Sequence, residues 1–179
     1  MKTTERKIGR VFAALILGAA AVALPVQAHH SFTIYNENVT KVFTGVVVRV
    51  SPDVNHLQIF FAPMNEARNG PLETDKDGKP VIWAVEMGGS AQMARDGVTV
   101  NAFPARDTII SVGLHPLRSG DPAGNLVGAL YKCPPRTPPA AGQHCDAVEG
   151  HTKHGRGALA QRAADDETQR DPGAAAQPQ

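Results

Sequence analysis

The chain has 179 residues, with 18 basic and 17 acidic side chains, seven His and two Cys. That length fits one domain with a modest core. The near-balanced charge argues against a nucleic-acid binder, because phosphate neutralisation supplies most of that affinity.

The first element is a leader. Lys2, Arg6, Lys7 and Arg10 form a basic opening, diluted by Glu5, and Val11 to Leu24 is an uncharged apolar run. The run is short for a bilayer span, which needs about 20 apolar residues. Pro25-Val26-Gln27-Ala28 follows, and Val26 and Ala28 suit the −3 and −1 positions of a signal-peptidase site. Residues 1–28 are therefore expected to be a cleaved signal peptide, with an uncleaved anchor helix as the alternative. No twin-arginine pair and no lipid-accepting Cys is present. The expected product is periplasmic, without a stable membrane anchor. Loss of the leader leaves 14 basic against 16 acidic residues, a net of −2.

The mature part opens on His29-His30. From Thr40 to Val50 the residues Val42, Thr44, Val46, Val48 and Val50 alternate with Lys41, Gly45 and Arg49. Period two with β-branched residues predicts a half-buried strand, with the valines facing in. Gly45 predicts a bulge or sharp bend. Ser51 to Asn55 is turn chemistry, and His56 to Phe61 is a second strand with Leu57, Ile59 and Phe61 on one face. Met64 to Pro80 is polar and rich in Gly, Asp, Lys and Pro, so it reads as a loop. Val81 to Met87 is a third strand, with Val81, Trp83, Val85 and Met87 inward. Ser90 is a candidate N-cap for a short helix ending near Gly97. Asp107 to Leu114 and Leu126 to Cys133 give a fourth and a fifth strand.

Cys133 and Cys145 lie 12 apart, across a proline-rich loop. Outside the cytosol such a pair is expected to form a disulfide. The competing reading, a soft-metal site from Cys133, His144 and Cys145, lacks zinc-type spacing. Residues 151–179 contain one Leu and no aromatic residue. Such a stretch buries too little to offset its ordering entropy, so it is expected to be a disordered tail. The folded domain is thus expected over residues 29–150.

Three strands, a short helix and two further strands is the element order of the OB-fold, a small five-stranded Greek-key barrel. An all-β, OB-fold-like barrel is therefore the expected architecture, with a β-sandwich as the alternative.

Two sets of residues invite chemistry. If cleavage follows Ala28, the α-amine and imidazole of His29 can chelate one ion, and His30 or His56 can complete a nitrogen set suited to copper(II). If cleavage follows Gln27, a His in third place also suits copper(II). The plain alternative is a solvated terminal His pair. The second set lies on outer strand faces. Parity turns His56 and Gln58 away from Leu57 and Ile59, and Glu86 away from Val85. His115 shares parity with Ile109 and Ser111. The outer face of strands two and three is the usual OB binding surface. Trp83, Met64, Met87 and Met93 could offer soft contacts to copper(I), but core filling explains most of them. There is no nucleophile elbow, phosphate loop or dinucleotide fingerprint.

In order along the chain, His29-His30-Ser31-Phe32, Tyr35, Gly45-Val46-Val47, the turn ending in His56, Trp83-Ala84-Val85-Glu86-Met87-Gly88 and the Asp107 to Gly113 strand form a recognisable series. The series resembles the exported bacterial family called domain of unknown function 6152, over roughly residues 29–133. The family turn commonly reads Asn-Pro-His, where this chain has Val54-Asn55-His56. The resemblance implies a small periplasmic β-domain and no particular activity. It directs attention to His29, His30, His56, Trp83 and Glu86.

The functional expectation is a periplasmic binding protein taking copper through His29, His30 and His56, with an oxidative copper enzyme using the N-terminal His pair as a further reading. Glu86, His115, Gln58 and Trp83 would support the ligands or line the site. The alternative is an envelope interaction module that binds a peptide, glycan or partner protein without metal.

Overall fold

A computed structural model describes residues 34–160. The leader, His29, His30 and residues 161–179 lie outside the described residues. Six strands and one short α-helix are present there: β1 Lys41–Ser51, β2 Gln58–Pro63, β3 Trp83–Glu86, α1 Ser90–Arg95, β4 Ile109–Pro116, β5 Ala123–Lys132 and β6 Thr152–Leu159. β1 pairs antiparallel with β2 and β4, β2 with β3, and β4 with β5. A parallel β3–β5 pairing closes the ring. The result is a closed five-strand barrel with its helix between the third and fourth strands, the expected OB-like arrangement. Closure through β3 and β5 replaces the sandwich alternative.

The interior follows from alternation. Phe43, Val47, Val50, Ile59, Phe61, Trp83, Val85, Ile110, Val112, Leu114 and Leu130 form the main core. Phe43 and Trp83 pack with ring centroids 4.7 Å apart, tilted by 47°. Met87 from the end of β3 and Met93 from α1 add thioethers to the same cluster. Core filling therefore accounts for Trp83, Met87 and Met93.

The inward face of β1 is the reverse of the sequence expectation. Phe43 and Val47 point into the barrel, whereas Val42 and Val46 join a second apolar cluster outside it. Both faces of β1 are covered, so alternation of valines could not say which face was inner. The pairing also skips between Val47 and Arg49, which makes Val48 the bulged residue. The bulge shifts parity and returns Val50 to the core. Gly45 serves a different purpose from the bulge foreseen there. A Cβ at Gly45 would lie 2.5 Å from the Ala62 carbonyl oxygen, so glycine permits close approach of β2.

The second cluster explains the C-terminal part. Val42, Ile109, Ala129, Tyr131, Cys133, Cys145 and Leu159 pack together on the outer side of β1, β4 and β5. The Cys133–Cys145 disulfide is formed, with Cα atoms 4.8 Å apart. His144 does not join a metal set there; its Nδ1 contacts Thr44 Oγ1 at 2.8 Å. Thr44 Oγ1 is 2.6 Å from Ser111 Oγ, and the Cys145 N–H donates to Ser111 Oγ at 2.8 Å. These bonds satisfy two buried hydroxyls beneath the covering segment.

β6 corrects the expected domain end at residue 150. Its burial is low and only Leu159 is buried. It is ordered instead by main-chain pairing to β5, which needs no apolar face of its own. His154 adds a latch: its Nδ1 donates to the Asp96 carbonyl at 2.9 Å, and its ring meets Phe103 edge-on at 5.0 Å. The helix start also differs from expectation. Gly89 is the cap residue, and Ser90 lies inside α1 with its hydroxyl bonded to the Asp53 carbonyl.

Candidate functional site

Strand register builds a polar row on the outside of the barrel. Gln58 on β2 is the direct partner of Glu86 on β3. Glu86 is the partner of Asn125 on β5, and Asn125 is the partner of His115 on β4. Direct partners share a face, so the four side chains form one line across four strands. Gln58, Glu86 and His115 were expected on outer faces, and the barrel brings them together.

Glu86 is the hub of this row. Its Oε1 lies 3.3 Å from His56 Nδ1, and its Oε2 accepts a long bond of 3.4 Å from Gln58 Nε2. Tyr35 donates its hydroxyl to the same carboxylate. Burial is the main cause that pushes the Tyr35 phenol up to about 12, with the Glu86 charge and that hydrogen bond adding to it.

Both histidines in the region are oriented through Nδ1. His56 Nδ1 lies 3.3 Å from the Met87 carbonyl as well as beside Glu86. His115 Nδ1 lies 2.8 Å from the Val39 carbonyl. A carbonyl can only accept, so each Nδ1 carries the proton. In the neutral ring the lone pair then resides on Nε2. A metal-binding imidazole is ordinarily held in this way, by a carbonyl or carboxylate on its other nitrogen.

The segment leading in from the N-terminal side is pinned nearby. Tyr35 bridges Leu117, the Asn36 N–H donates to the Pro116 carbonyl at 2.8 Å, and the Arg118 N–H donates to Ile34 at 2.9 Å. Trp83, counted among the candidates, is turned into the barrel and leaves the set. Among the described residues, no three His, Cys, Asp or Glu side chains converge to hold a metal.

Two members of the site escaped the sequence reading. Asn125 fell in a loop because β5 was started at Leu126, although its alternation with Gly124 and Leu126 was available. Tyr35 was noticed only through the family resemblance, since an isolated aromatic residue carries no periodic signal.

A comparison with protein families now places the chain. It belongs to a family of unknown function, DUF6152, which it matches over residues 17–126. No curated protein and no solved structure matches it. The DUF6152 match takes in Tyr35, His56, Gln58, Glu86, His115 and Asn125. It stops before the disulfide and β6. The polar row therefore belongs to the DUF6152 part of the chain, and the outer cover lies beyond it.

Proposed function

We propose that this chain is a periplasmic copper-binding module, exported by its leader, whose site joins the N-terminal His29 and His30 to His56. The observation that supports it best is the oriented His56 ring, with Nδ1 held by Met87 and Glu86 and its lone pair on Nε2. Tyr35, bonded to that same Glu86, lies five residues after His30. An α-amine and two or three imidazoles form a nitrogen set that favours copper(II).

The test is calorimetric titration of copper(II) into protein whose leader has been removed and whose first residue has been verified by mass spectrometry. One equivalent should bind, and His29→Ala and His56→Ala should each weaken binding at least tenfold. Equal binding by His29→Ala overturns the proposal. The second reading, an envelope module that recognises a peptide, glycan or partner protein, is favoured by the amides of Gln58 and Asn125 flanking Glu86. Absence of copper binding in the verified protein would leave that reading in its place.

A further inference from the structure

Away from the polar row, a chain of hydrogen bonds runs from the disulfide cover into the barrel wall and back out. Its members are the Cys145 N–H, Ser111 Oγ, Thr44 Oγ1 and His144 Nδ1. Ser111 and Thr44 are buried, so the direction of each bond can be worked out. The Cys145 N–H can only donate, and it donates to Ser111 Oγ. The proton of Ser111 then has one acceptor among the described residues, Thr44 Oγ1 at 2.6 Å. The proton of Thr44 is left with His144 Nδ1 at 2.8 Å. His144 Nδ1 therefore accepts, and the neutral ring carries its proton on Nε2. The other four described histidines have the opposite tautomer. His56, His115, His151 and His154 each turn Nδ1 to a main-chain carbonyl, which can only accept.

A second proton on His144 has to go to Nδ1, where it meets the Thr44 hydroxyl. Thr44 can turn its proton to Ser111, but the Ser111 proton then has no acceptor in a fully buried place. A buried donor without a partner is costly. We propose that His144 is an acid-sensitive latch, which holds the disulfide cover on the barrel when neutral and lets it go when protonated. Charged groups also face this segment. The Glu66 carbonyl accepts the Gly142 N–H, the Arg68 guanidinium bonds the Gln143 carbonyl, and Asp146 follows the disulfide cysteine. Glu66 and Asp146 are exposed and opposed in sign to Arg68, so their pull on the ring is screened and partly cancelled. β1 and β4 offer His144 only the neutral Thr44 and Ser111. The inference is independent of the copper reading.

The test is NMR of the intact disulfide form. At about pH 8 the ring nitrogens of His144 should show the proton on Nε2. A proton refused by the closed latch and accepted by the open one, at the ordinary imidazole value of about 6.5, favours opening by up to about 30-fold between about pH 8 and pH 5. Protection of the Cys145 amide against hydrogen exchange, corrected for the intrinsic rate, should therefore fall at least fivefold over that range. Amides of β2 serve as the reference for global unfolding and should keep theirs. His144→Asn sets a neutral oxygen acceptor near the place of Nδ1, and its Cys145 amide should be equally protected at both pH values. A proton on Nδ1 at about pH 8, unchanged Cys145 protection in the parent, or the same loss in His144→Asn each overturns the proposal. The last outcome would assign the acid response to His151 or His154.

Discussion

Glu86 owes its position to a single step of alternation after Val85, which puts a carboxylate outside the barrel one residue from the core. Three donors from three parts of the chain converge on it: His56 before β2, Gln58 within β2 and Tyr35 ahead of β1. His56 and Glu86 are both about one-third exposed, so their attraction is screened and contributes little to stability. Tyr35 is different, because it is buried. Its phenol is raised from 10.0 to about 12. A group whose native pKa exceeds its unfolded value stabilises the fold fully below the unfolded pKa. That stabilisation is lost as pH climbs through the native one. The contribution of Tyr35 is therefore complete below about pH 10 and disappears between about pH 10 and 12. Urea midpoints of the parent and Tyr35→Phe should converge across that interval. A phenolate absorbance component rising near pH 12 in the parent should be missing from Tyr35→Phe.

At the scale of elements, β6 shows how a strand without an apolar face is held. Its one buried side chain, Leu159, enters the outer cluster with Ile109 and Tyr131. Leu159→Ala should cost about 2 kcal/mol, the low end for a buried leucine because the site is at a sheet edge. Hydrogen exchange of the β6 amides should accelerate in the same variant. The sequence did not betray β6, since a count of apolar residues measures what a segment can bury alone. It does not register the hydrogen bonds that an existing strand offers. β2, β3 and β4 were legible because each has one apolar face and turn residues at its ends. β1 was legible as a strand but not in its orientation, for both of its faces are apolar and Val48 breaks the period. The polar row was half legible. Parity gave Gln58, Glu86 and His115 their outward direction. Only register could show that Asn125 links them, and register depends on how the strands pair.

At the scale of the molecule, the barrel carries two unlike outer faces. The polar row crosses β2, β3, β5 and β4, while the apolar cluster spans β1, β4 and the later half of β5. Residues 133–160 cover the second face, and the disulfide fixes the start of that cover. Closing a loop with a sequence separation of 12 stabilises by about 3 kcal/mol on the chain-entropy estimate. Reduction should lower the unfolding free energy by about that amount in denaturant titrations. Amides of residues 133–160 should lose protection before those of the barrel strands do.

The covering segment also decides the direction from which anything large can approach. Among the described residues, one flank of the barrel is roofed by the chain itself, so a visiting molecule meets the polar row from the opposite flank. A tag joined at Ala160 in place of residues 161–179 would depart from the roofed side. Immobilisation through that end should therefore leave the Glu86 side turned outward, towards whatever is offered to it.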